Sequence, residues 1–218
     1  MRTRATRLLV PCLAFVICVS GVCVAGKGFV KPAADPAKNY PARDEHPSEH
    51  VTVAIDPYDM ADKARIFGVS YSEAGFLPIL LIITNDGDQP VSVGNMKIQF
   101  ITAKRDKISA ATPDDIYRRL TRPSTSGAPS PLPFPRKKVK GTLSSEDRDE
   151  IQNAQFAAKA VEPHGTQSGF VFFDVSGISA PMPGAHFYLT GASDAKGNEL
   201  MYFEIPLEKY LSAPAKPN

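Results

Sequence analysis

The sequence predicts an all-β chain built from two antiparallel layers, and three observations carry that prediction. Seven short apolar runs recur along the chain, Pro, Gly and Asn turns separate them, and helical periodicity is confined to short stretches. The 218 residues leave room for one domain with a sizeable core. A composition of 43% apolar and 22% charged residues is that of a globular chain rather than a disordered or fibrous one. The chain has no Trp, and its 20 Pro are about twice the average share, which marks part of it as linker.

The first run, Val51-Thr52-Val53-Ala54-Ile55, places Val51, Val53 and Ile55 on one face of a strand. Asp56-Pro57-Tyr58-Asp59 then reads as a helix start, with Asp56 as cap, Pro57 at the first helical position and Gly68 closing the short helix. Residues 76–84 form the strongest strand signal. Asn85-Asp86-Gly87-Asp88 carries hairpin chemistry, because Asn, Asp and Gly accept the positive φ that a tight turn demands. Residues 91–93 and 96–102 are two further strands, and 168–175, 185–189 and 200–205 complete the seven. That count and spacing are those of an immunoglobulin-like antiparallel β-sandwich of about seven strands, spanning residues 51–212 with a tail at 213–218.

Residues 103–162 exceed a minimal sandwich and read as a helical, Pro-rich insertion. Thr112-Pro113-Asp114-Asp115 opens a helix through Leu120, and Ser144 caps a second from Ser145 to about Ala160. Between them Pro123, Pro129, Pro131, Pro133 and Pro135 predict an extended spacer without the P-x-x-P spacing of a recruitment motif. The block has too few apolar residues for a core of its own. It has a task, however, because residues 76–83 are apolar on both faces. If Leu77, Ile79, Leu81 and Ile83 point into the sandwich, Leu80 and Ile82 point away. Leaving such side chains in water forgoes roughly 1.5 to 3 kcal/mol each. The expected cover is the inserted helix with Ile151, Ala154 and Ala158; the alternative is a partner protein.

The segments Phe76-Leu-Pro-Ile-Leu-Leu-Ile-Ile-Thr-Asn-Asp-Gly-Asp-Gln-Pro-Val91 and Val161-Glu-Pro-His-Gly-Thr-Gln-Ser-Gly-Phe-Val-Phe-Phe-Asp-Val175 resemble exported bacterial immunoglobulin-like domains. Those domains carry a strand ending in Thr-Asn before a polar turn, and later a Pro-x-Gly turn leading into a Gly-Phe-Val-Phe-Phe strand. The resemblance covers about half of the mature chain. It implies a sandwich fold and an envelope or extracellular setting, and it brings no catalytic residue with it. The Cys pair and core Trp of antibody domains are missing.

The N-terminus points the same way. Arg2, Arg4 and Arg7 precede a largely apolar run from Leu8 to Val24, and Cys23-Val24-Ala25 puts small side chains before the polar Gly26-Lys27-Gly28. Residues 1–25 thus read as a secretory signal peptide, and the protein as exported, periplasmic or extracellular, with no transmembrane segment after cleavage. The alternative is an uncleaved N-terminal anchor in the inner membrane. A lipoprotein signal would want a small residue before the modified Cys, where Pro11, Ile17 and Val22 stand. Cleavage removes all three Cys and leaves 22 basic and 23 acidic side chains, so the mature chain has no disulfide and no thiolate chemistry. Residues 26–50, with four Pro among charged residues and no apolar periodicity, are expected to be a flexible lead-in.

No motif predicts catalysis, a cofactor or a metal. His46-Pro-Ser-Glu-His50 matches H-x-x-E-H, but that chemistry needs both His on one helical face, and Pro47 disfavours helix at His46. Asn85-Asp86-Gly87-Asp88 lacks the further ligands of a calcium loop, and His164 and His186 stand alone. No Ser sits in G-x-S-x-G, and no glycine-rich phosphate loop occurs. Charge is more informative. Residues 104–140 carry ten basic side chains against three acids, a net +7, so the rest of the mature chain carries −8. Arg118, Arg119, Arg122, Arg136, Lys137, Lys138 and Lys140 are therefore the candidate contacts to an anionic envelope surface. Nucleic acid is excluded by the exported setting and by the shortage of aromatic side chains in the basic segment, where only Tyr117 and Phe134 could stack on bases. The expected function is a non-enzymatic binding or structural module of the envelope or the exterior, whose partner is an unidentified protein or an anionic envelope component. The alternative is a carrier for a small apolar ligand held between sheet and inserted helices.

Overall fold

The computed structural model describes residues 28–121 and 143–214. The expected signal peptide, the prolines of the spacer and the end of the tail lie outside the described residues. Among the described residues the chain is mostly β, with antiparallel sheets and few helices.

Strands β1 (Arg43–His46), β2 (Val51–Pro57), β3 (Phe76–Asn85) and β8 (Gly165–Asp174) form one sheet in the order β1-β2-β3-β8. A second contains β5 (Lys97–Ile101), β6 (Lys107–Ser109), β9 (His186–Thr190) and β10 (Phe203–Pro206) in the order β10-β9-β5-β6. The short β4 (Val91–Ser92) and β7 (Ala160–Val161) pair with each other. Among the described residues there are also four α-helices: α1 (Ala61–Ala64), α2 (Pro113–Thr121), α3 (Ser145–Ala154) and α4 (Glu208–Leu211).

The two large sheets close one core between them. Val53, Ile55, Leu77, Ile79, Leu81 and Ile83 of the first meet Phe100, Phe187, Leu189, Phe203 and Ile205 of the second, each at most 5% exposed. In the second sheet inward and outward residues alternate, as a half-solvated sheet requires: Phe187 and Leu189 are buried while His186, Tyr188 and Thr190 are not. The first sheet departs from alternation, since all ten residues of β3 are buried. Its other face carries a second core of Ala54, Leu80, Ile82, Phe170 and Phe172, covered by Ile116 of α2 and by Ile151 and Ala154 of α3. The inserted helices are thus the cover that the apolar run demanded. Ala158 is not part of it, for it packs against the first core.

Local chemistry explains both inserted helices. Pro113 opens α2, and Thr112 and Asp115 exchange hydrogen bonds across its first turn. At α3 the Ser144 hydroxyl accepts from Asp147 N and the Asp147 carboxylate accepts from Ser144 N, both at 3.0 Å. Helix α3 was expected to continue to about Ala160 and ends at Ala154. There the chain leaves the helix to run beside β8, with Phe156 N donating to Phe170 O at 2.9 Å and Gln155 bridging Phe170 in parallel. Gly169 permits that approach, because a Cβ on it would stand 2.4 Å from Phe156 Cα.

Other expectations need correction. Residues 26–50 are not a flexible lead-in where they are described. Ala37–Asn39 form a 3-10 turn, and β1 pairs with β2 from Arg43↔Ala54 to His46↔Val51. Anchors set singly between prolines do the work: Phe29 stacks on Phe67, Ala37 and Ala42 are fully buried, and Ala37 N donates to Thr84 Oγ1 at 2.8 Å. Asp56 and Pro57 do not start a helix, since β2 continues to the pair Pro57↔Ile79 and helix begins only at Ala61. The turn at Asn85 joins no hairpin, for β3 lies between β2 and β8 while β4 pairs with β7. Asn85 holds it instead: Oδ1 accepts from Gly87 N, and Nδ2 donates to the carbonyls of Gln89 and Val161. Finally, the expected insertion at 103–162 contains β6, which belongs to the second sheet, so the extra chain begins after Ser109.

Candidate functional site

A cleft of about 310 Å³ lies between α2 and the sheets. Helix α2 supplies Asp115, Arg118 and Arg119, spaced i, i+3, i+4 and hence on one face. Ser109, Ala110 and Ala111 line it from the end of β6, with Phe76 from β3 and Asp174 from β8. Ile116 of α2 is buried in the second core, and Tyr117 Oη donates to Arg148 O at 3.0 Å, tying α2 to α3. The chain after β6 is fixed by Ala111 N donating to Phe172 O at 2.7 Å.

Arg118 and Arg119, two of the expected anionic-surface residues, both line this cleft, and each already holds a carboxylate. Arg118 donates from Nη2 to Asp115 Oδ1 at 2.6 Å and from Nε to Asp114 O at 3.2 Å. Arg119 donates to Asp174 and lies over the Phe76 ring, 5.9 Å from its centroid. The hydroxyl and amide of Thr112, and then Arg118, hold the Asp115 carboxyl below its usual pKa. With two guanidinium groups and two carboxylates the cleft is formally neutral, so these arginines lack the uncompensated charge the sequence suggested. The remaining candidates, Arg122, Arg136, Lys137, Lys138 and Lys140, lie outside the described residues.

The residues of the H-x-x-E-H pattern do not share a helix. His46 ends β1, stacked on Phe203 at 4.0 Å between ring centroids, with Nδ1 2.9 Å from Glu49 Oε2. His50 is exposed at φ 55°, its carbonyl accepting from Asp86 N. Among the described residues no three His, Cys, Asp or Glu side chains are placed to hold a metal ion. A second cleft, about 480 Å³, lies at the Asn85 turn and the 194–200 loop, and its acids are engaged internally. Asp194 accepts from the amides of Lys196 and Asn198, Glu199 from Gly191 N, and Asp88 pairs with His164.

Sequence reasoning missed Glu150, the one acid of α3 that is buried, at 5% exposed. Its carboxylate accepts from Gly68 N at 2.7 Å and Val69 N at 3.2 Å, clamping the β2–β3 connection to α3. Burial raises its pKa, and the two amide bonds oppose the shift. The Tyr71 hydroxyl is buried beside it without a well-formed hydrogen bond, and its pKa is pushed far above the usual tyrosine value by burial and by the Glu150 charge. Gly68 leaves the space, since a Cβ there would sit 3.1 Å from Glu150 Oε2.

No family model and no curated protein sequence matches the chain. Two further observations bear on function. The volume between sheet and inserted helices, the expected place of an apolar ligand in the carrier reading, is filled by Leu80, Ile82, Ile116, Ile151, Phe170 and Phe172, each at most 2% exposed. Among the described residues no helix is long and apolar enough to cross a membrane.

Proposed function

We propose that the chain is an exported, non-enzymatic immunoglobulin-like β-sandwich that serves the cell envelope or the exterior as a binding or structural module. The observation that carries the fold half of this reading is the strand order. In immunoglobulin lettering β2, β3 and β8 take the places of A, B and E, while β6, β5, β9 and β10 take those of C′, C, F and G. The helical block between β6 and β8 stands where strand D would run, and β1 adds a strand beyond A. The functional half draws support from how the ionisable groups are used. The charged side chains lining the two clefts are paired with one another or with their neighbours, Arg118 with Asp115, Arg119 with Asp174 and Asp88 with His164.

The binding reading favours an anionic envelope component or a protein as partner, with the remaining basic candidates Arg122, Arg136, Lys137, Lys138 and Lys140 as its contact. The test has two arms. Cell fractionation with intact-mass measurement is expected to find the protein outside the cytoplasm with Gly26 as its first residue; a cytoplasmic protein retaining residues 1–25 refutes export. Binding to acidic vesicles is expected to weaken as salt rises, because exposed charges are screened over about 8 Å at physiological ionic strength. It is also expected to disappear when Arg136, Lys137, Lys138 and Lys140 are neutralised. Equal retention of wild type and variant refutes the anionic contact.

A further inference from the structure

We propose that the cleft between α2 and the sheets binds a small zwitterion, of the class of a free amino acid or short peptide, through its ammonium and carboxylate groups together. The inference rests on the reading of the chain as a binding module and gives that module a ligand class.

The charge pattern selects the ligand. Arg118 and Arg119 face Asp115 and Asp174 in one small cleft, and the four charges cancel. A lone anion would leave one negative charge uncompensated among two carboxylates, and a lone cation would do the same among two guanidinium groups. The pairs are 65% and 45% exposed for Arg118 and Asp115 and 39% and 37% for Arg119 and Asp174, so selection is by charge complementarity in a solvated cleft, where a ligand bearing both signs sets each end against an opposite charge. Hydrogen-bonding capacity agrees. Of the five N–H groups of a guanidinium, Arg118 uses Nε and Nη2, and Arg119 uses Nη1 and Nη2. Arg118 Nη1 and Arg119 Nε thus have no acceptor among the described residues and are donors for a carboxylate. Asp115 Oδ1 and Asp174 Oδ2 each receive one bond where an ionised carboxylate oxygen takes two, which leaves acceptors for an ammonium.

The carboxylates are held before any ligand arrives. Asp115 Oδ2 accepts from Thr112 N and Oγ1, and Asp174 Oδ1 from Ser176 N and Oγ. Such pre-organisation lowers the ordering cost of binding. Size sets the upper bound, because about 310 Å³ is at the small end of ligand sites, and away from α2 the cleft is lined by Phe76, Ser109, Ala110, Ala111 and Asp174.

The experiment titrates three probes into the isotope-labelled mature chain and follows amide resonances: L-alanyl-L-alanine, its N-acetyl form, which keeps only the carboxylate, and its C-terminal amide, which keeps only the ammonium. The dipeptide is expected to shift Ala110, Ala111 and the residues of α2, with each blocked form binding at least about tenfold more weakly. Arg118→Gln, at a side chain 65% exposed, is expected to abolish the dipeptide shifts with an unchanged melting temperature. Ser109→Tyr, which fills the cleft without removing a charge, is expected to do the same. Absence of shifts with all three probes overturns the proposal, as does equal binding of the N-acetyl form, which would make the cleft an anion site, or undiminished binding by Arg118→Gln. A protein that is exported and begins at Gly26 yet ignores the probes loses this inference alone; one retained in the cytoplasm loses the envelope reading, whatever it binds.

Discussion

Truncating Ile151 tests the claim that the inserted helix is structurally part of the sheet it covers. Ile151 is fully buried, in a second core with Leu80, Ile82, Phe170 and Phe172. Ile151→Ala removes three carbons; at about 0.8 kcal/mol each the lost transfer energy is about 2.4 kcal/mol. The cavity term adds to this, because the neighbours cannot collapse freely. Leu80, Ile82, Phe170 and Phe172 are fixed by the β3–β8 ladder, and the rings pack on one another, with Tyr71 and Phe172 centroids 4.5 Å apart. The expected loss is therefore about 3 to 4 kcal/mol, within the range for such truncations. In a chain of this length it lowers the melting temperature by about 5 to 15 °C. Urea denaturation of purified protein measures it, with Val30→Ala, at a site 77% exposed, as a control expected to change stability by less than about 0.5 kcal/mol. If Ile151→Ala proves as mild as Val30→Ala, α3 does not cover the sheet. Deleting Ser145–Ala154 is the severe form of the same perturbation: it bares Leu80 and Ile82 and is expected to cause dye binding or aggregation. A soluble monomer of unchanged stability would refute the reasoning.

Glu150→Ala leaves two amides at the β2–β3 connection without their acceptor and is expected to cost about 2 to 4 kcal/mol by denaturant titration. Its pH signature follows from a folded pKa raised above the unfolded value of about 4.3: stability from the protonated form is fully present below that value and is lost as pH rises through the folded pKa. Glu150→Gln is therefore expected to flatten the fall in stability above about pH 4.3, and an unchanged slope refutes the assignment. Gly169→Ala drives a Cβ into the backbone at Gln155 and Phe156 and is expected to cost at least about 1 to 3 kcal/mol; a neutral outcome in thermal melts would show that residues 155–156 do not lie along β8. His46→Ala is expected to lower the melting temperature through the lost Phe203 stack, equally with and without chelator, and a chelator effect confined to wild type would make His46 a metal ligand instead.

The amino-acid sequence by itself determined the elements whose signal is local. The β3 run, the Gly-Phe-Val-Phe-Phe strand and the caps at Thr112 and Ser144 are legible because alternation, apolar density and capping chemistry act over a few residues. Even the need for a cover on Leu80 and Ile82 was written in a strand apolar on both faces, since a sheet has two sides and both were greasy. The cleft was not read from the sequence, which offered Arg118 and Arg119 as contacts to an outside anion: Arg118 is held by Asp115 one helical turn away, and Arg119 by Asp174, 55 residues apart, where no local pattern joins them. Tertiary structure alone decided that β1 forms at all. Arg43-Asp-Glu-His46 carries no strand signal, and its pairing depends on the edge that β2 offers and on carboxylates of Asp44 and Glu49 accepting from Glu204 N and Met201 N. Tertiary structure also ended α3 at Ala154, where a backbone bond to β8 replaced the next helical turn, and it alone chose Glu150 for burial among the four acids of that helix. In each case the deciding partner is remote in sequence, and a hydrogen bond or a buried surface that closes only when distant segments meet outweighs local preferences worth a few tenths of a kcal/mol per residue.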